Sequence, residues 1–151
     1  MKILQVCHRF YPEIGGIETH VYEISKRLAK YFEVEVLTTD PTGRYPKTVL
    51  VDNFVVRRFK SISPSNSYYF SFEMYKFLRR YGSNYDIIHA HNYHAFPALF
   101  AALTKGDKSK LVFTPHYHGG GHSYVRNKLH KLYKVCLLYT SDAADDGESV
   151  D

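Results

Sequence analysis

Nine histidines stand in this 151-residue chain, and seven of them (His8, His89, His91, His94, His116, His118 and His122) fall where three apolar, β-type runs give out into loops. An imidazole changes charge near neutral pH, so at such positions it can hold a hydroxyl, pass a proton or ligate a metal. The loops add further polar groups: Arg9, Tyr11, Glu13, Gly15 and Gly16 after the first run, Asn92 after the second, and Tyr117 with Gly119-Gly120-Gly121 after the third. Gly15-Gly16 directly precedes a helical pattern. Glycines allow close backbone approach, and the unpaired N–H groups and positive dipole end of a helix start suit a phosphate or a sugar hydroxyl. The same pair also serves as a plain turn and cap, so alone it decides nothing.

A second chemistry has to be weighed. His89-x-His91 and His116-x-His118 each put two imidazoles on one face of a strand, a possible ligand pair for a metal-dependent hydrolase. Zinc sites of that kind draw further ligands from other strands, and the barrels that use the motif need about 250 residues. The metal reading is therefore the weaker one, no resident metal is expected, and His89 reads as a buried structural residue. The first strand is not followed by G-x-G-x-x-G, and G-x-x-x-x-G-K-[ST] is missing, which argues against a dinucleotide-dependent dehydrogenase and a P-loop NTPase. Cys7 and Cys136 form neither a CxxC pair nor a disulfide framework and read as reduced and inert.

The elements that must carry these loops can be read from periodicity. Lys2 to His8 is a strand buried on both faces. Ile17, Val21, Ile24 and Leu28 share a helical stripe, with Glu18 suiting the first turn and Lys26, Arg27 and Lys30 the last. Glu33 to Thr39 is a second strand, completing a parallel crossover. Thr48 to Val51 and Phe54 to Phe59 are a hairpin or two edge segments; Phe70, Met74, Phe77, Leu78 and Tyr81 make a second helical stripe ended by Gly82. A strand over Asp86 to His91, a helix over Ala95 to Leu103, a strand over Leu111 to Thr114 and a helix from Ser123 with Val125, Leu129, Leu132 and Tyr133 inward complete the pattern. The alternation predicts a Rossmann-like α/β fold: an open, mainly parallel sheet flanked by helices on both faces, with ligands beyond the carboxyl ends of its strands.

Composition bounds the rest. The chain is long enough for one core, its 44% hydrophobic and 23% charged residues suit a globular protein, and no apolar run approaches a membrane span or a signal peptide, so a cytoplasmic location is expected. Five acids (Asp142, Asp145, Asp146, Glu148 and Asp151) sit in the last fifteen residues, which hold no Lys or Arg; the body carries 20 minus 10, or +10. Such a body favours anionic partners. Arg44, Lys47, Arg57, Arg58, Lys60, Lys76, Arg79 and Arg80 read as one basic surface for a membrane face or a phosphorylated acceptor. Without a recognised motif, nucleic acid is not expected. The aperiodic stretch 136–151 is expected to be non-native and poorly packed, and residues 1–135 to form the domain.

One resemblance sharpens these readings. The string Pro12-Glu13-Ile14-Gly15-Gly16-Ile17-Glu18-Thr19-His20-Val21 is similar to the Pro-x-x-Gly-Gly-x-Glu-x-His/Asn-Val element that opens GT4 glycosyltransferases of the GT-B fold. Glu35 to Thr39, Tyr85 to His91 and Val112 to His116 resemble that family's second strand, its Asp-hydrophobic-hydrophobic-His-x-His strand and its Thr-x-His strand end, in the right order. The resemblance implies the N-terminal, acceptor-side half of an enzyme that moves a sugar, hexosyl in type, from a nucleotide diphosphate sugar to a glycan, lipid-linked or small-molecule acceptor. It further implies retention of configuration, no required metal or cofactor, and a peripheral place at the inner face of the cell membrane. By the same resemblance His116 would sit nearest the chemistry, and Tyr11, Glu13, Gly15, Gly16, His20, His91 and His118 would bind substrate. The family's donor-side Arg/Lys pair and Glu-rich signature have no counterpart here, so this stretch is expected not to turn over alone.

Overall fold

A computed structural model describes residues 1–66, 68–92 and 95–116. His94, His118, His122, the helix expected from Ser123, Cys136 and the stretch 136–151 lie outside the described residues. The elements are β1 (Lys2–Val6), α1 (Gly16–Leu28), β2 (Glu33–Asp40), β3 (Thr48–Val51), β4 (Phe54–Lys60), α2 (Phe72–Tyr81), β5 (Ile87–His91), α3 (Phe96–Thr104) and β6 (Lys110–Thr114). Six strands join in the order β3-β4-β2-β1-β5-β6. All neighbours run parallel except β3, which turns back on β4 as a hairpin edge. The β4 run is thus an interior strand, made so by six residues in register with β2, Glu35↔Val55 through Asp40↔Lys60.

Strand alternation divides the core in two. Leu4, Val6, Leu37, Ile88, Ala90 and Leu111 point to one face, where they meet Met74 and Leu78 of α2 and Ala98, Ala101 and Ala102 of α3. Ile3, Cys7, Val34, Val36, Phe54 and Val56 point to the other, where Val21 of α1 covers them. Burial lifts the Cys7 thiol to about 12, which keeps it protonated and inert. Helix α2 starts where Ser71 Oγ accepts the Met74 N–H at 3.3 Å and ends at Gly82.

Three expectations need correction. Phe70 is not part of α2: it lies before the Ser71 cap, pairs its backbone with Ile62 and packs edge-on against Phe96 and Phe100. Tyr81 closes the stripe but is 38% exposed, its ring lying 4.9 Å from that of Phe77 in the last turn. The basic surface is smaller than its residue count suggests. Arg58 is buried and donates to the carbonyls of Tyr11 and Pro46 at 2.7 and 3.2 Å, and Arg57 is spent on Glu35 at 2.7 Å. Arg44, Lys47, Lys60, Lys76, Arg79 and Arg80 stay exposed.

Candidate functional site

The carboxyl ends of β1, β5 and β6 and the start of α1 converge on one cluster of imidazoles. Gln5 of β1 and His89 and His91 of β5 fall on the α1 face by alternation, and His116 follows β6 by two residues. His91 is fully buried and its Nε2–H donates to the Gln5 Oε1 at 2.7 Å. Burial first, then the neighbouring rings of His89, His116 and His20, push its pKa down to about 2. The ring is therefore neutral, and with Nε2 protonated its Nδ1 can only accept. His116 Nε2 stands 3.2 Å from that Nδ1 and donates to it. Gln5, His91 and His116 form a relay that fixes both the orientation and the tautomer of the outermost ring.

The remaining histidines are held separately. His20, exposed on α1, brings its ring to 5.1 Å from His116 and 5.7 Å from His91, edge to face in both cases. His89 bonds Thr114 Oγ1 at 2.8 Å and is pushed down to about 4, by burial first and then by His20 and His116, in keeping with a structural role. Its Nε2 is taken by that hydroxyl, and the ligand atoms that converge on His91 come from His20 and His116 instead of His89; His118 lies outside the described residues. Among the described residues, the ligand atoms of His20, His91 and His116 all lie within 4.8 Å of one another. Asn92 and His116 both take left-handed backbone, with φ of 67° and 47°, a conformation costing a non-glycine residue on the order of 1 kcal/mol and typical of functional loops.

A second cluster adjoins the first at the helix start. Asn92 Nδ2 bonds His8 Nδ1 at 3.3 Å, and His8 Nε2 lies 4.0 Å from the Glu18 carboxylate. Glu18 is buried, accepts from Arg9 Nε at 3.0 Å and sits under Gly15, where an added Cβ would run into its carboxylate. Gly15 is thus required by packing, whereas a Cβ on Gly16 meets nothing within 4 Å and faces open space.

The structure brings His20, His91 and His116 together beside the helix that Gly15-Gly16 opens, and gives two other expected residues partners of their own. Glu13 pairs with Arg9 at 3.6 Å. Tyr11 is half exposed, sets its ring tilted and 5.8 Å from that of Tyr22, and gives its carbonyl to Arg58. Sequence reading assigned Glu18 to the helix dipole and passed over Gln5. The signal for Glu18 lay in its motif position three residues after Gly15; for Gln5 it was a lone amide in an apolar strand, on the same face as His91.

The profile of Glycosyltransferase Family 4 matches residues 14–145, most of the chain. The chain belongs to glycosyltransferase family 4. It is also similar to one of the subunits of human phosphatidylinositol N-acetylglucosaminyltransferase, at 29% identity over 160 residues covering 93% of this chain. The chain spans about a third, 32%, of that relative's length. Sucrose-phosphate synthase from Thermosynechococcus elongatus superposes with a TM-score of 0.66 at 14% identity, over 93% of this chain and 41% of the other, a likeness of fold. This family 4 domain accordingly has the Rossmann-like fold of the N-terminal half of GT-B glycosyltransferases. Among its described residues no helix is long and apolar enough to cross a membrane.

Proposed function

We propose that this domain forms the acceptor-side wall of a cleft in which a hexosyl group passes from a nucleotide diphosphate sugar to an acceptor hydroxyl, with retention and without a resident metal or cofactor. The observation that carries the reading is the Gln5–His91–His116 relay at the carboxyl edge. Because His91 Nδ1 can only accept, His116 turns its Nε2–H to it, and the relay fixes the His116 ring at the carboxyl edge, a placement suited to positioning a hydroxyl of acceptor or donor sugar. Gly16 leaves open space at the start of α1, where backbone N–H groups and the helix dipole suit a diphosphate. His20 and His91 line the same pocket, Gly15 shapes it by making room for Glu18, and His118 joins it on the family resemblance. Tyr11 and Glu13 serve on the outer lip, where the acceptor enters.

A cleft of this kind needs a second wall, so turnover is assayed in a protein that carries both domains. There His116→Ala should lower kcat/KM about a hundredfold or more, the scale of a positioned acid-base group, while the freed His91 Nδ1 costs only about 1–3 kcal/mol of stability and leaves the domain folded at assay temperature. A nucleotide-sugar screen, run with and without chelator, tests the class. Transfer that survives chelation and is lost in His116→Ala supports the proposal; activity abolished by chelation and restored by Zn²⁺ would favour the hydrolase reading.

A lipid-carried acceptor fits best. The human relative is named for transfer of N-acetylglucosamine to phosphatidylinositol, and α2 exposes Lys76, Arg79 and Arg80 together with Phe72, which is 56% exposed. Each cation near an anionic leaflet contributes about 1 kcal/mol, enough in sum for peripheral binding at the cytoplasmic face. Sedimentation with anionic but not neutral liposomes at low salt is the expected result, and equal binding to both would reject it.

A further inference from the structure

We propose that His20, His91 and His116 together form a binding site for a borderline transition-metal ion of the Zn²⁺ class, one that occupies the pocket and is not a participant in sugar transfer. Three neutral-capable imidazoles from three different elements, α1, β5 and the loop after β6, present ligand atoms within 4.8 Å of one another. The spacing is the telling quantity. Zinc–imidazole bonds of about 2.0–2.1 Å at tetrahedral angles put neighbouring ligand nitrogens about 3.3 Å apart. His91 Nδ1 and His116 Nε2 already stand at 3.2 Å. The third ring has at most about 1.5 Å to close from 4.8 Å to that spacing, and His20 is an exposed helix side chain able to swing.

The outer shell is built as well. A histidine that ligates a metal through one nitrogen commonly donates its other N–H to a fixed oxygen, which sets ring orientation and raises basicity. His91 does so through Nε2–H to the buried Gln5 Oε1 at 2.7 Å, aiming its Nδ1 lone pair at the cluster. On binding, the ion replaces the hydrogen bond between His116 and His91, the His116 proton moves from Nε2 to Nδ1 through solvent, and no net proton is released. Three imidazoles leave a fourth position for water. Imidazole donors select Zn²⁺, Ni²⁺ or Cu²⁺ over Mg²⁺ and Ca²⁺, which favour oxygen ligands. An ion there engages the nitrogen of His116 that the relay uses, so the site would act as an inhibitory trap; the binding itself does not depend on the reaction proposed above.

The test is calorimetric titration of the chelator-treated 151-residue chain with ZnCl₂ near neutral pH, with MgCl₂ and CaCl₂ as controls. Saturable Zn²⁺ binding without Mg²⁺ or Ca²⁺ binding is expected. His20→Ala and His116→Ala should each weaken it at least about tenfold, since losing even an outer-shell partner of a zinc ligand costs about 10–100-fold. His20 is exposed, so its variant should keep the wild-type melting temperature, which separates ligand loss from misfolding. Absence of Zn²⁺ binding overturns the proposal, and so does Zn²⁺ affinity unchanged in both variants, which would place the ion on other groups.

Discussion

Adjacent glycines at the start of α1 should respond to the same substitution with opposite signs. At Gly15, the helix N-cap, the backbone is extended (φ −165°, ψ 176°), so alanine meets no backbone strain; the obstacle is the Glu18 carboxylate, whose Cδ lies 3.2 Å from the added Cβ and whose Oε2 lies closer still. Glu18 has nowhere to retreat without leaving Arg9 Nε at 3.0 Å, in a place where its side chain is only 4% exposed. Losing a charge-assisted hydrogen bond costs about 1.5–3 kcal/mol, and alanine for glycine at an N-cap adds about 0.5 kcal/mol. Gly15→Ala should therefore destabilise the domain by about 2–3.5 kcal/mol. At Gly16 a Cβ meets nothing within 4 Å, and the residue is helical, so alanine should stabilise by about 0.5 kcal/mol through the unfolded chain. Urea denaturation of both variants reads the difference, and Gly15→Ala/Glu18→Ala supplies the cycle: with the carboxylate gone the two changes should be non-additive. Gly15→Ala as stable as wild type, or additive with Glu18→Ala, would refute the packing argument. Should Gly16→Ala stabilise the domain yet raise KM for the nucleotide sugar in the two-domain protein, the open space at Gly16 serves a ligand.

Acid should weaken the domain in a defined window. Burial holds His89 and His91 neutral, with pKa values of about 4 and about 2 against 6.5 unfolded; unfolding then takes up protons, so stability is full above about pH 6.5 and falls below it by up to about 1.4 kcal/mol per pH unit per histidine. Denaturation midpoints in chelator should drop accordingly between about pH 6.5 and 4.5, with roughly half the slope in His89→Gln; a flat profile there would show that the rings are not buried neutral. The depressed Asp40 carboxyl, which burial pushes up but hydrogen bonds from Thr42, Tyr45 and Gly43 hold below 3.8, acts only at lower pH. Tyr85 donates to Glu35 Oε2 at 2.6 Å, and burial, then that bond, raise its pKa; Tyr85→Phe should cost about 1.5 kcal/mol in thermal unfolding, and no loss would mean the bond is not formed in solution. Ser71→Ala should cost about 1 kcal/mol by removing the α2 cap, with Ser71→Gly costing only a few tenths; equal losses would argue against capping.

How much of this was legible beforehand depends on where each residue's energy comes from. Strands β1 and β5 and helices α1 and α3 are readable because their apolar pattern is the very quantity that buries them, and periodicity reports it directly. Phe70 broke the pattern because it packs edge-on against Phe96 and Phe100, contacts that no helical period encodes. Arg57 and Arg58 were counted as surface because charge is usually solvated; one is paired with Glu35 and the other is held by two carbonyls, partners 12 to 47 residues away in sequence. The same limit hid Glu18, a carboxylate that can be buried only because Arg9 and His8 arrive beside it. Motif resemblance, not spacing, brought His20 into the pocket.

The location of the imidazole cluster follows from one sheet face changing character along its length. On the face turned to α1, the amino-terminal side of the strands carries Ile3, Val34 and Ile87 against Val21, a dry interface that fixes helix to sheet. Toward the carboxyl ends the same alternation presents Gln5, His89 and His91. The opposite face stays apolar over the matching positions, Leu4, Val6, Ile88 and Ala90, under α2 and α3. Polar side chains can be buried here because each of the three finds a partner within the cluster or its rim: Gln5 with His91, His91 with His116, His89 with Thr114. The Gln5 amide nitrogen, which has no hydrogen-bond partner among the described residues, marks the point where that satisfaction is incomplete. A site held this way is rigid where it meets the core and open where His20 and Gly16 reach solvent, which is the division of labour that positioning a reactive hydroxyl against a mobile substrate requires.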